Sequence, residues 1–81
     1  MRVDIYRRSE PDNKFSFLAV PEGRPIPEEV TNVDWTTEAR GSSWNDDIKL
    51  IDGYGISDFA QQIAQKGYAI TSVKQLVSQG S

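Results

Sequence analysis

With neither cysteine nor histidine among its 81 residues, this chain can close no disulfide and lacks the usual ligands of a structural zinc ion. A chain of this length is expected to form one small domain spanning residues 1–81. Packing alone must then hold it, and a single core of this size supplies only roughly 3–5 kcal/mol of net stability. The aromatic side chains Tyr6, Phe15, Phe17, Trp35, Trp44, Tyr54, Phe59 and Tyr68 are the natural bulk of such a core. The same two absences exclude Ser-His-Asp and Cys-His catalysis, and the chain is expected not to be an enzyme.

Hydrophobic periodicity comes next. Residues 2–8 alternate: Val3 and Ile5 point one way, and Arg2, Asp4, Tyr6 and Arg8 the other, as in a strand with one wet face. The polar stretch 9–14 has turn chemistry, and the apolar run 15–20 ends at Pro21. Together they predict an antiparallel hairpin with a loop of about six residues. Pro21, Pro25 and Pro27 make the following segment an ordered loop. Residues 33–40 alternate again and predict a third strand, with Val33, Trp35, Thr37 and Ala39 on one face.

Residues 44–52 read two ways. Trp44, Ile48 and Ile51 fall on one face of a short helix, the reading we prefer; alternatively residues 48–51 form a short strand. Gly53 and Gly55 permit a tight turn around Tyr54. Ser57 is placed to cap a helix whose stripe is Ile56, Phe59, Ala60, Ile63 and Ala64, with Gln61, Gln62, Gln65 and Lys66 facing water. Gly67 fits its left-handed stop, with Tyr68 packing back on Ile63. Ser72 and Gln75 resemble a capping box for a last helix striped by Val73, Leu76 and Val77 and ended by Gly80. The expected fold is α+β: a three-stranded, mainly antiparallel sheet, the N-terminal hairpin plus a third strand, packed against two C-terminal helices. Val3, Ile5, Phe15, Phe17, Val33, Trp35, Phe59, Ile63, Leu76 and Val77 are its expected core, with the inward parity of the second strand left open.

The formal net charge of −3 argues against nucleic acid as the main partner. The charge is uneven. Arg2, Arg7 and Arg8 make the start basic, and the middle is acidic. Arg2, Arg8 and Tyr6 share a strand face suited to stacking on single-stranded nucleic acid, which stands as an alternative function. Cross-strand partners such as Glu38 or Asp34 are the expected explanation of these arginines. The pairs Glu28-Glu29 and Asp46-Asp47 suit the starts of helical turns better than a shared acid–base site, since neighbours on a helix diverge. Asn45, Asp46, Asp47 and Asp52 offer oxygen ligands to a hard cation, but not in the order of an EF-hand loop. A carboxylate-based enzyme or cation binder is therefore the last alternative, and no cofactor is expected. No apolar run approaches the roughly 20 residues of a membrane span, and no signal-peptide core precedes the first strand, so the expected address is the cytoplasm. The first reading is a non-catalytic protein–protein interaction module, binding an unidentified protein or itself through Tyr6, Arg8, Trp44 and Tyr54.

Four stretches carry a resemblance: residues 2–8, residues 20–29, Thr31-Asn32-Val33-Asp34-Trp35, and residues 66–73 with the sequence Lys-Gly-Tyr-Ala-Ile-Thr-Ser-Val. Through them the chain resembles a family of short, uncharacterised betaproteobacterial proteins whose domain carries a function-unknown label. The resemblance covers most of the chain and is weakest at residues 41–52. It implies a stand-alone bacterial domain and brings no activity or site residues with it.

Overall fold

The computed structural model describes residues 1–30 and 34–78. Val33 and Gly80 lie outside them, as do the side chains of Asp52 and Val73. The expected hairpin is present and longer than its alternation suggested. β1 (Arg2–Glu10) and β2 (Lys14–Pro21) pair antiparallel from Val3↔Pro21 to Glu10↔Lys14, so the loop is only Pro11–Asn13. Asp12 and Asn13 both take positive φ there, at 64° and 59°. Asp and Asn tolerate that region best among side-chain-bearing residues, which lets the ladder run into the turn.

β3 (Thr36–Ser43) pairs with the other side of β1 and forms the sheet edge. Its register slips twice, between the pairs Val3↔Ser42 and Ile5↔Ala39 and again before Tyr6↔Thr37. Each slip is a bulge, and a one-residue slip moves side chains to the other face. Trp35 and Ala39, expected on one face, accordingly pack in different clusters on opposite faces. The two bulges also blunt an edge that would otherwise invite another strand.

On its far side β2 pairs with β6 (Ala69–Ile70) and, nearer the hairpin turn, with β7 (Val77–Ser78), completing a five-stranded antiparallel sheet. β4 (Leu50–Ile51) and β5 (Ile56–Ser57) form a separate two-stranded ribbon. Thr71 closes the gap between β6 and β7: its Oγ1 accepts the Phe17 N–H at 2.8 Å and donates to the Tyr54 carbonyl at 2.6 Å.

Among the described residues there is one α-helix, α1 (Phe59–Lys66), so the two-helix expectation is corrected: the fold is α+β but mostly sheet. Ser57 lies in β5 and donates its hydroxyl to the Gln75 side chain at 2.9 Å, while Asp58 takes the cap position at φ 49° without a side-chain cap bond. Gln62, expected in water, is half-buried and bridges the Ser57 carbonyl and the Ile70 N–H. Gly67 does end the helix, at φ 88°, donating its N–H to Ile63 O at 2.8 Å. Where a last helix was expected, Val73–Gln75 makes one 3-10 turn, Ser72 forms no cap bond, and the chain leaves extended into β7.

Both faces of the sheet are covered, which answers the open parity of β2. Val3, Ile5, Phe17 and Ala19 face a layer containing Phe59, Ile56 and Ala69, with Phe15, Trp44, Tyr54, Ile63 and Val77 at its margin. Leu18 and Val20 face a second layer with Tyr68, Tyr6, Ile26, Val30, Trp35 and Ile70. Tyr68 therefore packs on the second face rather than back on Ile63. Trp35 is held there by its indole N–H, which donates to Val30 O at 2.7 Å. A loop takes the place of a helix on this face, and its prolines fix part of the shape in advance.

Candidate functional site

Of the residues expected to meet a partner, Trp44 and Tyr54 belong to one side of the sheet and Tyr6 and Arg8 to the other. They do not form one surface. Trp44 anchors residues 44–51 to the body. Its N–H donates to Met1 O at 2.9 Å, and the Met1 ammonium donates to Trp44 O at 2.8 Å and to Asp46 at 3.0 Å. Its indole meets Phe59 edge-on at 5.1 Å and stacks on Tyr54 at 5.8 Å, and Tyr54 tilts onto Phe17 at 4.6 Å. These are the offset and edge-on geometries that aromatic rings prefer. Burial raises the Tyr54 phenol above its ordinary pKa, and the Glu38 charge adds to the shift.

Past Trp44 the chain turns rather than coiling into a helix. The Ile48 N–H donates to Asn45 O at 3.0 Å, and the Asp47 N–H to Asn45 Oδ1 at 2.9 Å. The chain then extends into β4, and the Asp58 N–H ties the start of α1 to Lys49 O at 2.8 Å. Of the two readings of this segment the short strand is the one realised. Ile51 packs on the first core layer. Ile48 and Leu50 remain 36% and 42% exposed. With Met1 they are the exposed large apolar side chains among the described residues. All lie on this segment or are hydrogen-bonded to it. Sequence reasoning missed the pair because a helix would have turned Ile48 inward. The available signal was the shortness of the run 48–51, which cannot cover both of its own faces.

On the opposite face Tyr6 is half-buried in the second layer. Arg8 lies over the Trp35 ring at 4.9 Å and donates to Glu10 at 2.6 Å. Glu10 also accepts the Ser16 hydroxyl at 2.7 Å. The Ser16 bond foremost, then Arg8, hold the Glu10 carboxyl below its usual range despite burial. Arg7 points to the first face, over Phe15 at 4.8 Å. Arg2 pairs with Glu22 at 3.0 Å. The arginines thus find Glu10 and Glu22, not the expected Glu38 or Asp34. The supposed row for base stacking is already occupied by internal partners.

Asp4, expected on a wet face, is 3% exposed. Its carboxylate accepts the Gly23 N–H at 3.0 Å and the Gly41 N–H at 2.9 Å, and Arg40 stands 3.9 Å away. The two backbone bonds hold its pKa below the ordinary carboxylate value, outweighing burial. Gly41 sits in the first bulge at φ 63°, and a Cβ there would meet Glu22 at 2.6 Å and Arg2 at 2.8 Å. Asp4 therefore pins the bulge of β3 to the loop after β2. Among the described residues no three Asp or Glu groups come together to hold a metal ion. No helix there is long and apolar enough to cross a membrane.

Compared with known protein families, residues 1–77 match a family of unknown function (DUF6139). No curated protein and no solved structure matches the chain.

Proposed function

The chain belongs to that family, whose description carries no activity, and from this premise we propose that it is a non-catalytic module that binds another protein through the segment 46–50. The observation that carries this reading is the gathering of exposed apolar side chains, Ile48, Leu50 and the adjoining Met1, on one anchored segment. Elsewhere the fold covers both faces of its sheet. Singly scattered exposed apolar residues need no explanation, whereas these three are gathered on one segment and the strand end hydrogen-bonded to it. The carboxylates that the fold perturbs downward, Asp4 and Glu10, are held ionised by internal hydrogen bonds. A general acid or base working near neutrality needs the opposite shift. Tyr54 and Trp44 serve this reading as the half-buried platform that anchors the segment, while Tyr6 and Arg8 belong to the fold on the other side.

The test is affinity capture from a lysate of the source organism, with the chain and its Ile48→Ser/Leu50→Ser variant side by side. Substitution at exposed positions of this kind changes stability within about ±0.5 kcal/mol, so the variant should unfold at the same denaturant concentration. If each side chain is worth about 1 kcal/mol at the interface, the specific partner should bind the variant about thirtyfold more weakly. Equal retention by both chains, or nothing specific on either, would remove the reading.

A further inference from the structure

Resting on that reading, we infer that the segment 46–50 receives a lysine- or arginine-rich stretch of the partner bearing an aliphatic anchor. Ile48 and Ala60 share a depression with the carboxylates of Asp46, Asp47 and Asp58. Lys49 is the one cation on that lining. Asp46 is engaged by the Met1 ammonium. Asp47 and Asp58 have no side-chain ion pair or hydrogen bond among the described residues, and Asp58 leaves its helix cap unmade. The depression is therefore mostly polar, with Ile48 and Ala60 beside the Asp47 and Asp58 carboxylates, and its one lysine leaves it net negative. A complementary partner places a cation against each charge and an aliphatic side chain against Ile48. A second copy meeting the same patch about a two-fold axis would set these carboxylates against themselves, which disfavours self-pairing here.

The experiment is selection of a random displayed dodecapeptide library on the immobilised full chain, followed by titration of a recovered peptide against the chain and three variants. Enriched peptides should carry at least two Lys or Arg near an aliphatic residue. Asp47→Asn/Asp58→Asn should weaken the recovered peptide about two- to thirtyfold at low salt, and added salt should erase most of that difference. Asn is well suited to the positive φ of Asp58, so this variant should fold. Asp12→Asn, at the hairpin turn, should leave affinity unchanged. Ile48→Ser/Leu50→Ser should lose binding. Peptides that need Ile48 and Leu50 but lack basic residues, or that ignore Asp47→Asn/Asp58→Asn, would overturn this inference alone and leave the protein-binding reading standing. No enriched peptide would likewise overturn this inference alone, and dimerisation of the chain through these same residues would overturn the reading that the partner is another protein.

Discussion

Phe59→Ala should destabilise the fold by about 3–5 kcal/mol, the usual range for truncating a fully buried phenylalanine. Phe59 is 0% exposed and belongs to the core layer that holds Val3, Ile5, Phe17 and Ile56. It also receives the Trp44 indole edge-on at 5.1 Å. Removing the ring opens a cavity under α1 and takes away the wall against which the 44–51 segment is anchored. Domains of ordinary stability have only about 5–15 kcal/mol to lose, and small ones sit at the low end. Urea unfolding followed by Trp fluorescence should therefore show a midpoint near zero denaturant, or no folded baseline at all. Phe15→Ala is the useful contrast. Phe15 is half-buried at the margin of the same layer, so its loss should be smaller.

Asp4→Ala should cost about 2–4 kcal/mol, because a hydrogen bond to a charged group contributes about 1.5–3 kcal/mol and two are lost, offset in part because the exposed Gly23 and half-buried Gly41 donors can turn to water. The Gly23 and Gly41 N–H groups point at different carboxylate oxygens, Oδ2 and Oδ1. Asp4→Asn can satisfy only one of them, since its amide nitrogen would face the other donor. It should therefore recover only part of the loss. The charge adds a pH signature. The folded-state pKa values of Asp4 and Glu10 are both depressed. Their contribution is complete above the unfolded carboxylate values of roughly 4, and is lost as pH falls below these through the folded values. Wild-type stability should accordingly fall below about pH 4, and Asp4→Asn should show a shallower fall. Identical pH dependence in the two chains would show that Asp4 carries no such linkage.

What the sequence revealed follows the range of the interactions that set each element. The hairpin was legible because the alternation in β1 and the apolar run in β2 are local, and the partners adjoin. The body of α1 and its stop at Gly67 were legible for the same reason. The last helix was not. Val73, Leu76 and Val77 have helical spacing, but so short a segment has little helical stability of its own. The open edge of β2 at Lys14 and Phe15 takes Val77 and Ser78 as a strand, a pairing across the whole chain. Asp4 gave no warning, because its partners Gly23 and Gly41 adjoin it only after the sheet forms. The split of Trp35 from Ala39 depends on a bulge that alternation alone cannot locate. The same limit hid the candidate site: Leu50 and Ile51 are set in place by Ser57 and Ile56, not by their own neighbours.

The proposed function rests on Ile48 and Leu50 standing outside a core that encloses Ile56, and methyl NMR with a soluble paramagnetic agent tests this directly. The account predicts strong broadening of the Ile48 and Leu50 methyl signals. The Ile56 methyls should stay sharp, and those of half-buried Ile51 should broaden less than those of Ile48 and Leu50 while showing contacts to the first core layer. Protection of Ile48 and Leu50 equal to that of Ile56 would contradict it, because the segment would then be core and no apolar surface would be left for a partner.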